Sequence, residues 1–399
     1  MPLSGTGARG GDACLSRTTV LITGARAPVA QDLARACRAA GYETHLADSA
    51  PAHAARALRP AFPVHRLPPP RQRFQEFRSA ILSLIETTNA DRVIPTCEEV
   101  FWVAEAAARD GYADRLFAPD LDRLATLHSK ARFIEFAASL GIATPETHVL
   151  EGPLHPGDLP LEFEDLVLKP EYSRFASHTL VSPTPEEMSR IRPTRTRRWV
   201  AQKRIRGEEV CSWAALREGR IVAFAAYRPR WRQGRAAAFQ MEAINAPGIL
   251  AITTRIGAAT GMTGHLSFDV ILDQDGVALP IECNPRAVSG LHLFDASEGL
   301  ARAVVEGQPC GDPLPGTLRH MAPAMALLGA PSAIMNGRMG ALLKDWRASR
   351  DVISREGDLA VTLACLADAS AFALQALKSS RSAAGATTAD IEWDGEPMS

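Results

Sequence analysis

The chain has 399 residues, enough for two or three domains. It is 46% hydrophobic and 22% charged, an ordinary balance for a globular protein that buries a sizeable core. Its 44 basic and 45 acidic residues leave a net charge of −1, which argues against a dedicated binder of nucleic acid or of a membrane surface.

Residues 1–16 are rich in glycine and other small residues and lack the apolar core of a signal peptide, so they read as a disordered tail. Thr19 to Thr23 (TVLIT) is a β-rich run. Gly24, a helical stretch from Val29 to Ala40 and a second strand pattern from Glu43 to Ala47 follow. This strand–helix–strand order requires a parallel sheet. The turn reads TGARAP rather than GxGxxG, so a dinucleotide fingerprint is absent and an NAD-dependent enzyme is disfavoured. Phe74 to Thr87 has helical spacing, and Arg92 to Pro95 (RVIP) reads as the next buried strand. Glu98 and Glu99 lie just past its carboxyl end, where open α/β sheets place ligand-binding groups. They either recognise a substrate amine or favour the N-terminus of the next helix.

Past Pro119 the pattern changes. Ser129 to Leu140 reads as a helix closed by Gly141. Glu164 to Lys169, Thr196 to Gln202, Val210 to Leu216, Arg220 to Tyr227, Leu266 to Leu272 and Ala278 to Glu282 read as strands, an α+β arrangement. From about residue 301 the chain reads as mostly helical, with Ala360 to Lys378 a clear helix, and residues 379–399 read as a small, polar tail containing DIEWD. No run of about 18 apolar residues suggests a membrane span. The seven cysteines form no CxxC pair, so neither a disulfide framework nor a zinc site is expected, and reduced thiols in the cytoplasm are the default.

Three segments carry candidate chemistry. In SFDVILDQDGVALPIECNPR, two apolar strands flank the turn Asp273 to Gly276, a hairpin signal. The hairpin folds Asp269 beside Glu282 and Asn284, and two carboxylates with an amide oxygen suit Mg²⁺. Cys283 alternates away from this face and reads as core. The second segment, Val167 to Pro170, ends a strand on Lys169, which can present a fixed positive charge to phosphate. The loop EYSRFASH after it offers Ser173, Arg174 and Ser177. In the third, VAQKRIRGEEV, Ile205 offers an apolar contact for a purine, the backbone around Lys203 offers edge hydrogen bonds, and Glu209 offers a carboxylate for ribose.

The order of these pieces resembles the ATP-grasp superfamily, most strongly from Lys130 to Phe294. IECNPRAVSGLHLF is similar to the metal-binding end of carbamoyl-phosphate-synthase-type ATP-grasp domains. VLITGARAPVAQDLARA and IPTCEEVFWVA are similar to the pre-ATP-grasp domain of that group. The resemblance implies an α/β and α+β fold with these parts: a tail (1–16), a Rossmann-like parallel sheet (17–118), a two-lobed ATP-grasp domain (119–300, with a mobile lid at about 146–203), a helical C-terminal region (301–378) and a tail (379–399). It implies ATP and Mg²⁺ (or Mn²⁺) as cofactors. Lys130 and Lys169 would bind phosphates, Gln202, Lys203 and Ile205 would border adenine, and Glu209 would hold ribose. Asp269, Glu282 and Asn284 would bind the metal, with Arg286 and Lys169 catalytic. Glu98, Glu99, Arg174 and Ser177 would face substrate.

The implied activity is an ADP-forming ligase that phosphorylates a carboxylate and couples it to an amine. The alternatives are a carboxyphosphate or carbamoyl-phosphate type of enzyme and a non-catalytic ATP-binding regulator. Small-molecule carboxylate and amine substrates and a homodimer are the expected partners; nucleic acid and membrane are not. The lid loop departs from the glycine-rich pattern of the family, since EYSRFASH contains no glycine.

Overall fold

A computed structural model of the chain describes residues 17–154, 159–174, 178–232, 238–355, 357–379 and 382–399; the expected N-terminal tail and Ser177 lie outside these. The run Thr19–Thr23 forms β1 and is buried along its whole length, as a parallel strand covered on both faces must be. Gly24 follows at φ 75°, and a Cβ there would meet Thr96 Oγ1 at 2.7 Å and Glu99 Oε1 at 2.8 Å. Glycine is therefore what lets this turn lie against the end of the neighbouring strand.

Helix Pro28–Ala39 leads into β2 (Glu43–Asp48) and β3 (Val64–Arg66). Helix Phe74–Thr88 buries Phe74, Phe77, Ile81 and Ile85 on one face and returns the chain to β4 (Arg92–Pro95). The four strands make a parallel sheet of order β3-β2-β1-β4. Strand order reverses between β1 and β4, the switch point at which such sheets take ligands.

Helix Lys130–Ser139 is capped by the Ser129 side chain, which accepts from the Arg132 amide. Two antiparallel units follow. β5 (Thr147–Leu150), β6 (Leu166–Pro170), β7 (Leu180–Val181) and β8 (Trp199–Lys203) form a small sheet of order β5-β8-β6-β7. One of its faces, with Leu166, Leu168 and Ala201, packs on Met188 and Ile191. Lys169 and Gln202 lie on the other face, because side chains alternate along paired strands.

β9 (Gly207–Arg217), β10 (Arg220–Pro229), β11 (Gln240–Ile244), β12 (Gly264–Asp273) and β13 (Ala278–Asn284) build the large sheet. Its back packs on helices Lys130–Ser139 and Pro247–Thr260 through Phe133, Ile249, Ile256, Leu266 and Phe268. Trp213, Ala225 and Met241 of its front pack with Leu291 and Leu300 of the segments Ser289–Phe294 and Glu298–Glu306.

The C-terminal region is largely helical, with three departures from expectation. β14 (Leu318–His320) and β15 (Arg350–Asp351) extend the large sheet to seven strands, order β13-β12-β9-β10-β11-β14-β15. Helix Leu359–Ser379 contains an 18-residue stretch with a mean hydropathy of 1.6 and is, by length and composition, apolar enough to cross a membrane. Asp368 and Ser370 break its apolar run, which is why no such run is evident in the sequence.

The third departure is the tail. Its last dozen residues dock, burying Ile391, Trp393 and Met398 against the N-terminal unit. The Trp102 indole donates to the Ile391 carbonyl at 2.9 Å. Arg26 pairs with Asp390 at 2.6 Å and Arg71 with Asp394 at 2.9 Å. DIEWD alternates acids with apolar residues, and the arginines and the aromatic cleft that match it lie some 300 positions away in the chain.

Candidate active site

The hairpin β12–β13 sets the site. Asp269 lies directly opposite Glu282, and Ser267 opposite Asn284, so the three candidate ligands share one face. A bulge after Asp269 separates this register from that of the turn. In the turn, Asp273 Oδ1 accepts from the amides of Asp275 (3.0 Å) and Val277 (2.8 Å), which fixes the reversal. Asn284 Nδ2 donates to Asp269 Oδ2 at 3.5 Å. Burial and the facing Glu282 push the Asp269 carboxyl up to about 6. Cys283 pairs with Phe268 on the opposite face and packs in the core, as alternation requires.

Two lysines converge on the end of β13. Lys130, 1% exposed, holds its Nζ 3.4 Å from Glu282 Oε1 and donates to the Ser173 carbonyl at 3.2 Å. Lys169 reaches across from the small sheet and donates to the Ile281 carbonyl at 3.1 Å. Burial draws its ammonium down to about 8, against the pull of Glu282. A hairpin rich in acid is thus met by cations from two other elements.

Arg286 extends this cluster towards the N-terminal unit. Its Nε donates to Glu98 Oε1 at 2.7 Å and its Nη2 to Asn284 Oδ1 at 3.1 Å. Arg174 lies on the other side of Glu98, Nε to Oε2 2.8 Å, and pairs with Asp394 at 2.8 Å. Burial alone would raise the Glu98 pKa, but Arg174 and Arg286 outweigh it and hold the carboxyl well below the usual range. Glu98 is therefore a fixed counter-ion between two arginines, not the open carboxylate expected for a substrate amine. Arg174, expected to face substrate, is likewise committed to Glu98 and to the docked C-terminal segment. Glu99, expected to face a substrate amine or to favour the next helix's N-terminus, lies at the start of that helix. Its Oε1 accepts from Thr23 Oγ1 (2.8 Å) and from the amides of Thr96 (3.1 Å) and Cys97 (3.3 Å), and burial pushes its carboxyl up. It joins the ends of β1 and β4 at the start of helix Val100–Asp110.

In the linker, Gln202 shares the Lys169 face and donates to Thr147 Oγ1 at 3.1 Å. Lys203 pairs with Leu166, so its side chain lies on the opposite face and is exposed, away from where an adenine beside Lys169 would sit. Its amide donates to the Glu146 carbonyl at 2.8 Å, and the Arg204 amide to Asp165 at 2.7 Å. Ile205 is half-buried between β8 and β9. Glu209 pairs with Ile271 and lies on the face of Asp269, where Arg232 reaches it at 2.5 Å.

Sequence reasoning passed over three residues. Cys211 is directly opposite Asp269, with Tyr227 beside it on β10. Burial pushes the Cys211 thiol well up, so it stays neutral beside the carboxylate. Counting by twos from Glu209 places Cys211 on this face. Glu171, buried at the start of the lid loop, accepts from Ser129 Oγ and from Arg198 Nε and Nη2, both at 2.7 Å. Its carbonyl takes the Lys130 amide at 3.3 Å. Glu171 thus joins the end of β6 to the helix that carries Lys130. Its position in EYSRFASH carries no signal of this, since its partners lie 42 residues before it and 27 after.

Among the described residues no three His, Cys, Asp or Glu side chains form a cluster that would hold a metal alone. Two carboxylates completed by Asn284 make an oxygen-only, incomplete donor set. Such a set fits a hard cation that shares its shell with phosphate.

No protein-family model and no curated protein matches the chain. Solved structures do. An L-amino acid ligase from Bacillus licheniformis aligns at 16% identity and a TM-score of 0.52, over 69% of this chain and 68% of the ligase. Phosphoribosylamine–glycine ligase from Thermotoga maritima aligns at 16% and 0.55, over 75% and 78%. N5-carboxyaminoimidazole synthetase from Staphylococcus aureus, complexed with ADP, aligns at 12% and 0.56, over 80% and 86%. At these identities the likeness is one of architecture, and by it the chain has the ATP-grasp fold that its motifs resemble.

Proposed function

We propose that this protein is an ADP-forming ligase that activates a small-molecule carboxylate as an acyl-phosphate and couples it to an amine, in the reduced environment of the cytoplasm. The observation that carries this reading is the convergence of Lys130, Lys169, Asp269, Glu282, Asn284 and Arg286 at one end of the β12–β13 hairpin. Two neighbours are ligases by name, and a third was crystallised with ADP. In this reading residues 17–118 are the pre-ATP-grasp domain, 119–300 the ATP-grasp domain and about 146–203 its lid.

Lys130 and Lys169 hold the nucleotide phosphates. Gln202, Ile205 and the linker backbone border the base, and Glu209 accepts from the ribose once it is released from Arg232. Asp269, Glu282 and Asn284 would hold Mg²⁺, which supplies neutralisation of phosphate charge. The substrate carboxylate attacks the terminal phosphorus of ATP, the bond to ADP breaks, and the amine then displaces phosphate from the acyl carbon. Arg286, pre-oriented by Glu98 and Asn284, stabilises the charge that develops on the transferring group. The small sheet closes over the site and keeps water from the acyl-phosphate.

The test is release of ADP and phosphate from Mg–ATP in the presence of pooled carboxylates and amines. ADP formed only with a carboxylate–amine pair supports the reading. ADP formed with bicarbonate alone would move it to a carboxyphosphate enzyme. ATP binding by calorimetry with no turnover on any pool would make the protein a regulator. Glu282→Gln should abolish turnover; activity within a few-fold of the parent refutes the metal assignment.

A further inference from the structure

Helix Leu359–Ser379 has two faces of different character. The inner face docks on the N-terminal unit. Val361 and Ala376 are buried, and Ala364 and Cys365 pack on the main core. The Asp368 carboxylate accepts from the amides of His53 and Ala54, both at 2.9 Å, which anchors the start of helix His53–Ala57. Phe372 lies under the Arg26 guanidinium, 5.8 Å from ring centroid to carbon.

The outer face carries leucines. Leu359, Leu363, Leu374 and Leu377 are 72%, 65%, 60% and 80% exposed. Leu359, Leu363, Leu366, Ser370, Ala373 and Leu377 follow one another at spacings of four and three. That is the 3.5-residue period of a helix–helix seam, and no charged residue falls on it.

The geometry points to a second copy of this chain as the partner, bound through an antiparallel, two-fold pairing of this helix. About a Cα axis near residue 368, Leu359 meets Leu377 of the other copy, Leu363 meets Ala373, and Leu366 meets Ser370. Inside the seam each large side chain faces a small one, the alternation that fills space between helices. Parallel pairing would set Ser370 on Ser370 and Ala373 on Ala373 and leave a gap. Antiparallel pairing also brings Lys378 near Asp358 of the other copy, setting opposite charges together at each end of the seam. The two-fold arrangement needs only one patch, because each end of the seam complements the other.

The length of the helix is about 30 Å. Its five leucines and intervening small residues offer on the order of 500 Å² per copy, taking about 80 Å² for each leucine side chain. That is the low end of specific interfaces, so the dimer is reversible, with dissociation in the micromolar range. A membrane-crossing role would strip the bonds of Asp368 to His53 and Ala54 and break the inner face from the core, and so is disfavoured.

Sedimentation velocity of the full chain from about 1 to 100 μM tests this. The parent is expected to pass from monomer to dimer. Leu363→Glu and Ala373→Lys should each weaken dimerisation roughly 100-fold, because each buries an unpaired charge. Both positions face solvent in the monomer, so the melting curves should match the parent. An equimolar mixture of the two single variants, and the double variant, should dimerise again, since the antiparallel register places position 363 against position 373. A parent that stays monomeric over the whole range would overturn the proposal, as would a double variant that stays monomeric when the parent dimerises. Flotation of the parent with phosphatidylcholine vesicles, lost in Leu363→Glu, would also overturn it, by assigning the face to a membrane surface.

Discussion

Replacing Glu98 with glutamine tests whether the candidate site is built on a charge shared between domains. Glu98 is 1% exposed and holds Arg286 at 2.7 Å and Arg174 at 2.8 Å. Two unit charges about 4 Å apart attract by about 4 kcal/mol at an effective dielectric of 20. Desolvation offsets much of that in the intact cluster, but removing one partner leaves the other charges buried and uncompensated, at about 3–5 kcal/mol. Glutamine keeps the volume, accepts from one arginine and turns an NH₂ towards the other. Asp394 still pairs with Arg174, and Asn284 still accepts from Arg286, so the low end, about 3 kcal/mol, is expected.

At roughly 2 °C per kcal/mol for a large unfolding unit, the melting midpoint should fall about 6 °C. Scanning fluorimetry measures it. A cycle with Arg286→Gln should show a coupling of at least about 1 kcal/mol, as groups in contact do. Turnover should fall in parallel, because Arg286 loses the group that orients it. A melting midpoint within about 1 °C of the parent, together with additive single and double variants, refutes the reasoning.

Other outcomes follow from the same geometry. Asp32 is fully buried and bound by His292 Nδ1 and Arg355 Nη2, both at 2.7 Å. Burial would raise its pKa, but His292 and Arg355 outweigh it and hold it low, so its stabilisation is full above the unfolded carboxylate value near 4 and fades as pH falls below it. Asp32→Asn should therefore lower stability at pH 6–7 by about 3 kcal/mol, with the difference shrinking below about pH 4 in urea titrations. Deleting residues 388–399 removes the buried side chains of Ile391, Trp393 and Met398, at about 2 kcal/mol each as an upper bound, and takes Asp394 from Arg174 and Arg71. Hydrogen exchange should rise in helix Val100–Asp110, where Trp102 loses its acceptor; unchanged exchange would show that the segment is dispensable. Gly24→Ala should cost about 1–3 kcal/mol, because it adds a Cβ at a φ of 75° and within 2.8 Å of two oxygens; a melting curve matching the parent would contradict this.

What the sequence determined by itself lies in short spans. The parallel βαβ start, the strand ending on Lys169 and the Asp269–Glu282–Asn284 face are fixed by alternation, glycine position and turn chemistry within short contiguous segments. Local rules suffice there because the register of a tight hairpin follows from its turn and its two-residue period. What the tertiary structure decided spans long separations. Glu98 meets Arg286 across 188 positions, and Arg174 meets Asp394 across 220.

Which side of β8 faces the site, and hence that Lys203 points away, depends on how the small sheet is packed and not on the sequence of the strand. Likewise the apolar and acidic pattern of DIEWD is visible in the sequence, but its partners are assembled only when the N-terminal unit folds. Charge compensation at distance is set by burial, since an ion taken out of water must find whichever partner the fold brings near. The sequence therefore reads out the groups that would hold metal and phosphate, and the fold alone shows that Glu98 and Glu99 serve the architecture of that site.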